Sequence, residues 1–578
     1  MSPSRRDFVK GAAVTAAGAF SITDRHAHDI VAQIIADSPE GRVLESKFKA
    51  LADIVLAEGK LGGASYTDVR FTMTANIPGG MANYRTAGAG GRGGADSTGG
   101  FGGRRGGGGG GGGGRGGGGG GGGGRGGRGG RGGTGIPTEE DRKAGGFGVR
   151  VIHSGVWGFA SSPIVTEDEL RRVTRVAVEV AKASAIAKKA DLKLTPPTKY
   201  IENYITPMVK DPTTVSQTDK QAWAQKIVDI ASKVPGVTAV MVSAQHGYEW
   251  RYYASSEGSY IEQQLYTTTP NMSVTAKVGD VTKTRQYPGV PGTGGWEIAE
   301  NCDFLSAAER VANDAVEMCT AKPLGASGLK DLILSPSHAM LTIHEVISHA
   351  TELDRIVGYE ANYAGTSFVK ISDIGKLKYG SKHLNITADK TDNGLGSVGF
   401  DDDGVKTQKW PLIREGILVD VQTNRETAHL IGQNFSRGCT FGTSWRDYPF
   451  LRMANVHLEA GPANSPTRDE LIADVKDGVM IDGRGSYSID QQRYNGQFGG
   501  HIFWEIKNGK ITRQCTDVTY NAITTDFWGS LDGITGPNEY QKHGTGGDAK
   551  GQPTQTNTIS HGSPWLCIRK ILVGGAFD

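Results

Sequence analysis

The chain has 578 residues, with 63 Lys and Arg against 61 Asp and Glu, a formal charge of +2. That balance excludes recognition of nucleic acid or anionic membrane by bulk charge, and the length allows about two to four domains. Five scattered cysteines (Cys302, Cys319, Cys439, Cys515, Cys567) form no C-x-x-C pair, which argues against a disulfide framework or a zinc knuckle.

The chain opens with MSPSRRDFVKGAAVTAAGAF, in which Arg5 and Arg6 are followed by Phe8, Lys10 and a run of small apolar residues. This order resembles a twin-arginine export signal, so residues 1–28 predict export of the folded chain to a periplasmic or other extracytoplasmic location. No later stretch reaches the ~18 apolar residues a membrane span needs, and no transmembrane span is expected in the mature chain.

Residues 29–235 have the rhythm of an N-terminal α+β domain. Apolar residues at helical spacing over 29–60 predict a helix interrupted near Pro39, and ASYTDVRFTMTANI alternates as a strand. Between residues 87 and 135 the composition collapses to glycine with occasional arginine, which buries too little apolar surface to repay its ordering entropy, so a disordered insertion is expected there. Arg-Gly tracts bind single-stranded nucleic acid through cationic contact and arginine stacking. Phe101 is the single aromatic in this one, so a flexible surface loop is expected and no specific nucleic acid. GGFGVRVIHSGVWGFASS, residues 145–162, reads as two short strands around His153, Ser154 and Gly155. Helices are predicted from a Thr166 cap and over TVSQTDKQAWAQKIVDIASKV.

Strands dominate residues 236–320, apart from a helix near 303–320, and residues 321–578 form a strand-rich C-terminal domain. In it DLILSP predicts a strand ending at Ser335 as N-cap, with Pro336 at the first helical position. The helix that follows contains HEVISHATELD, residues 344–354. In H-E-x-x-H the two histidines share one helix face; here the spacing is H-E-x-x-x-H, which separates the rings by roughly 140° on a regular helix. A π-type bulge would bring positions i and i+5 back onto one face.

LTIHEVISHATELDRIVGYEANYAGTSF resembles the H-E-x-x-x-H helix of the TldD/PmbA (TldD/TldE) metalloproteases. GGFGVRVIHSGVWGFASS, GTSWRDYPFLRMAN (442–455) and the closing ILVGG resemble further motifs of that family, in the same order. The resemblance implies an α+β N-terminal domain, a strand-rich C-terminal domain and a zinc-dependent peptidase. His344 and His349 would then be metal ligands and Glu345 the catalytic base, as in the metal-bearing TldD-like subunit. The family's third ligand is a cysteine in a K-G-Q-containing stretch. Matching Lys550, Gly551 and Gln552 to it places Asp548 at that position, with His561 the alternative; His543 and Cys567 rank lower. A carboxylate suits zinc, and the harder donor set also admits manganese or iron.

The implied chemistry is hydrolysis of short or unfolded peptides by metal-activated water, with Glu345 as general base. Glu352 and Asp354 are candidates for orienting the ligand histidines, and Arg446, Arg452 and Asn455 for binding substrate or bracing their turn. The family pairing implies a homo- or hetero-dimer with a TldE-like paralogue. The alternative is a catalytically degenerate peptide-binding or scaffold subunit of such a heteromer.

Overall fold

A computed structural model of the chain describes residue 43, residues 46–86 and residues 145–575. The expected export signal at 1–28, the first part of the helix expected over 29–60 and the glycine-rich tract at 87–135 lie outside the described residues. The fold is α+β.

The N-terminal part is built on one sheet of eight strands among the described residues, in which β1 (Tyr66–Arg85), β2 (Gly146–His153), β3 (Val156–Ser162), β4 (Ile201–Ile205), β5 (Val237–Ser255) and β6 (Tyr260–Val278) take the order β3-β2-β1-β5-β6-β4. β1 pairs antiparallel with both β2 and β5, and β7 (Val281–Pro288) adds to β6. The boundary expected between residues 235 and 236 therefore runs through the middle of a sheet, because the long strand β5 is the pairing partner that β1 needs.

Alternation along β5 divides the sheet into two faces. Val240, Val242, Tyr248, Trp250, Tyr252 and Ala254 point one way into apolar cores made with four helices. These are α1 (Lys47–Leu61), α2 (Glu167–Ser184), α3 (Gln217–Ala231) and α4 (Phe304–Met318). Arg251 and Tyr253 point the other way, with Arg70 of β1 and Arg150 of β2, onto the C-terminal part. There Arg251 Nη1 lies 2.7 Å from Asp402 Oδ1 and Arg150 Nη2 lies 2.9 Å from Asp403 Oδ1, while Arg70 also pairs with Asp402. Polar alternation on a buried sheet face thus becomes an ionic seam between the two halves.

The C-terminal part has a sheet of ten strands among the described residues. Its strand β8 (Gly328–Leu334) runs parallel to β11 (Asp477–Asp482) and antiparallel to β14 (Leu566–Gly575). A smaller sheet pairs β9 (Ile386–Asp389) with β10 (Asn455–Leu458), and β12 (Gln541–Lys550) forms a two-stranded ribbon with β13 (Gln555–Ser563). Helix α5 (Pro336–Ile343) leaves β8 directly. Ser335 Oγ caps it by accepting from the His338 N–H, and Pro336 stands where no amide donor is needed. Its residues and those after it are sunk in a core that includes Leu334, Trp410, Val456, Ile481 and Phe498.

Candidate metal centre

The helix does not continue regularly past Ile343. Residues His344–Ser348 form a π-helical turn, His349–Thr351 a 3₁₀ turn, and Glu352 turns extended at φ −73° and ψ 118°. Carbonyls loosened by these changes of pitch are taken up by side chains from around the helix: Ser348 Oγ donates to Ile343 O (3.1 Å), Gln422 Nε2 to Ser348 O (2.8 Å), Ser367 Oγ to Ala350 O (2.7 Å), and the Tyr379 hydroxyl to Val346 O. The wider turn brings the His344 and His349 rings to 4.7 Å between centroids, although five positions separate them.

Asp548 reaches them from β12, at a bulge in its pairing with β13. Its Oδ1 is 3.6 Å from His344 Nε2 and 3.4 Å from His349 Nε2, and one ligand atom from each of the three residues falls within 4.8 Å of the others. All three are buried. Each is held from behind by a group that fixes its chemistry.

His561 Nδ1 donates to the Val456 carbonyl at 3.0 Å, and its Nε2 accepts from His344 Nδ1 at 2.8 Å, so the His344 lone pair is on Nε2, the atom that faces Asp548. His349 Nδ1 donates to Glu352 Oε2 at 2.8 Å, which leaves its Nε2 lone pair on the same side. Burial, reinforced by the Arg355 guanidinium, pushes the His349 imidazole well below its usual range, so this contact is a hydrogen bond from a neutral ring and not an ion pair. Burial works against the Asp548 charge, but the Arg452 guanidinium holds the carboxyl well below the usual carboxylate range. Arg452 Nη2 donates both to Asp548 Oδ2 (2.8 Å) and to Asp548 O (2.6 Å).

Lys550 shares a strand face with Asp548 and donates to Glu352 Oε1 (2.9 Å), Asp354 Oδ1 (3.0 Å) and Leu451 O (2.9 Å). Of the two acids, burial raises both, but Glu352 also receives the Lys550 and Arg355 charges and the His349 N–H, which keep it ionised; Asp354 is left above its usual value. Glu345 lies beside His344, with Arg493 Nη1 3.9 Å from its Oε2. Two imidazoles whose Nε2 atoms face one carboxylate are a donor set that fits zinc or a similar divalent cation.

His344, Glu345, His349, Asp548, Glu352 and Arg452 are therefore brought together. The other expected residues are placed differently. His561 stands behind His344 with both ring nitrogens engaged, so it supports a donor instead of being one. His543 lies across the ribbon from His561 and bonds Gln541 Oε1 at 3.1 Å. Cys567 is packed with Ile333, Leu471 and Met480 in a separate core, because its strand turns that side chain away from the centre. Asp354 contacts Lys550 and no ligand histidine. Arg446 is exposed on its turn, whereas Arg452 is committed to Asp548 and the Gln555 carbonyl, and Asn455 accepts from the Gly396 and Ser560 amides and donates to Asp392 and Ser397. Arg493 was not legible as a site residue, since it belongs to no motif; Arg355 lies within the helix motif, three residues after Glu352, and Lys550 could have been found from its i+2 spacing to Asp548.

Models of the PmbA/TldA metallopeptidase domains match residues 140–181 (domain 1), 210–318 (central domain) and 327–575 (C-terminal domain). A metalloprotease of Methanothermobacter thermautotrophicus is 27% identical over 441 residues, covering 75% of this chain and 89% of the relative. A zinc metalloprotease TldD homolog of Saccharolobus solfataricus is 21% identical over 444 residues, covering 74% and 90%. The solved structure of TldE from Thermococcus kodakarensis aligns with a TM-score of 0.61 at 14% identity, over 90% of this chain and 99% of that one, a likeness of fold. The chain belongs to the PmbA/TldD family of metallopeptidases.

Proposed function

We propose that the protein is a zinc-dependent peptidase of the TldD type, hydrolysing short or unfolded peptides, with His344, His349 and Asp548 as metal ligands and Glu345 as general base. The observation that carries this reading is the convergence of three buried donors within 4.8 Å, each backed by its own partner. A bound zinc ion supplies a Lewis acid that polarises the scissile carbonyl and acidifies a water to near neutral pH. Glu345 takes the proton from the attacking water and passes it to the departing amine. Glu352 and His561 hold the two imidazoles in the tautomers that keep Nε2 available, and Arg452 keeps Asp548 ionised and aimed. An extended peptide is a substrate that the strand-rich surroundings suit, because main-chain pairing at a sheet edge tolerates many sequences.

Assembly with a TldE-like partner and export by the twin-arginine route complete the reading. The first is supported by family membership and the TldE-like fold, the second by Arg5, Arg6 and Phe8. Glu345→Gln tests the mechanism: hydrolysis should fall at least about 10²-fold with metal content unchanged. Activity that survives this substitution would remove Glu345 from the reaction. A chain that binds peptides and no metal would instead be the scaffold subunit.

A further inference from the structure

Arg493 enters the metal centre from a loop organised by one carboxylate. Asp490 Oδ1 accepts the Gln492 and Tyr494 amides, each at 3.0 Å, and Oδ2 accepts the Asn495 amide at 3.1 Å. Within that loop Arg493 adopts φ +63°, a left-handed conformation that a residue with a Cβ takes only when its surroundings impose it. Thr524 Oγ1 anchors the Arg493 carbonyl at 2.9 Å, so the loop presents the side chain in a fixed place.

The guanidinium it presents is poorly spent. The side chain is 14% exposed, and of the five N–H donors of an arginine one hydrogen bond is accounted for, from Nη2 to the Ala364 carbonyl at 3.0 Å. Nη1 stops 3.9 Å from Glu345 Oε2, beyond hydrogen-bonding distance, and the buried Nε meets no acceptor among the described residues. Neighbouring arginines are committed: Arg355 donates to Glu352 and Ala364, and Arg452 to Asp548 and the ribbon backbone. Leaving buried donors unmet is unfavourable for the fold alone, so the position of Arg493 makes sense if its acceptor arrives with the substrate.

We propose that Arg493 is a catalytic residue whose guanidinium donates to the scissile carbonyl oxygen as that oxygen takes on negative charge. The proposal rests on the peptidase reading above. In the step it serves, the water oxygen bonds to the carbonyl carbon and the water proton passes to Glu345. The C=O π pair moves onto the oxygen, which accepts a hydrogen bond from an Arg493 N–H. When the C–N bond breaks, that pair returns to re-form the carbonyl, and the amine nitrogen takes the proton from Glu345. A donor already in place for charge that develops during reaction acts without reorganisation, which is where such groups contribute most.

The test uses zinc-loaded, full-length Arg493→Ala and Arg493→Lys proteins, a quenched-fluorescence peptide cleaved by the parent, and calorimetry with a phosphinic pseudopeptide of the same sequence. Its tetrahedral P–O⁻ mimics the charged oxygen. In Arg493→Ala, kcat should fall about 10²–10³-fold with KM little changed, added guanidinium ion should restore part of the rate, and metal content should stay at the parent level. Affinity for the phosphinic peptide should fall with kcat/KM, while affinity for the product peptides is retained. Arg493→Lys should lie between parent and Arg493→Ala. A parent-like kcat, a rise in KM alone, or loss of metal in both variants would overturn the assignment. If the parent cleaves no peptide, the peptidase reading itself fails and takes this proposal with it; cleavage by the parent with an unimpaired Arg493→Ala overturns the proposal alone.

Discussion

His344 Nδ1 lies 2.8 Å from His561 Nε2, and the Val456 carbonyl lies 3.0 Å beyond that ring, at His561 Nδ1. A carbonyl can only accept, so it fixes the proton of His561, which in turn fixes the proton of His344. The His344 tautomer is thereby set from the β10 backbone, well away from the atom that faces Asp548. Replacing His561 by Phe keeps the ring volume and removes the acceptor. Metal affinity, measured by competition with a chromogenic chelator, should drop about 10–100-fold, the usual loss when a partner behind a ligand is removed. Unchanged affinity would mean that His344 is oriented by packing alone.

Arg452 neutralises a buried carboxylate. Arg452→Met strands the Asp548 charge, and the metal-free protein should lose about 3–5 kcal/mol of stability in a denaturant titration. Added zinc should recover more stability in this variant than in the parent, because the cation then takes over the role of the guanidinium.

Acid should destabilise the metal-free protein through Glu352 and Asp548. Both carboxyls are held well below their usual range in the folded chain, despite burial, by Lys550 and Arg355 in one case and by Arg452 in the other. An acid whose folded value is depressed contributes stability above its unfolded value, near pH 4, and this contribution is lost as pH falls through the depressed range. Thermal melts between pH 6 and pH 2 should therefore show Tm falling below about pH 4. Lys550→Met should show a smaller Tm at pH 6 and a shallower fall, since part of what acid removes is already gone.

Export is testable apart from chemistry. Changing Arg5 and Arg6 together to Lys should hold the protein in the cytoplasm of a host with a twin-arginine pathway, with peptidase activity in the lysate retained. Periplasmic recovery of the doubly substituted protein would show that another signal is used.

The alternation of β1, the Ser335 cap, the Pro336 start and the H-E-x-x-x-H phrase were all legible, because each depends on residues close in sequence. The phrase also demanded a distorted helix, and His344–Ser348 is a π turn. Asp548 could be reached only through the family resemblance, since some 200 residues separate it from the helix and nothing local marks it as a donor. The groups behind the donors were harder still. His561 is legible in the sequence only as an alternative ligand to Asp548, since only the fold shows that both its nitrogens are engaged. Arg493 acts through tertiary contacts that no spacing encodes, and the bond from Lys550 to Glu352 spans 198 residues. The seam of Arg70, Arg150 and Arg251 with Asp402 and Asp403 was hidden for the same reason: its two sides lie more than 150 residues apart in the chain.

The central claim is that Asp548 completes a site begun by His344 and His349. Metal per chain, measured by mass spectrometry on protein purified without chelator and reloaded with zinc, tests it directly in the parent and in Asp548→Ala. The account predicts about one tightly held ion per parent chain and its loss in Asp548→Ala, with His344→Ala and His349→Ala behaving alike. Full zinc content in Asp548→Ala would contradict it.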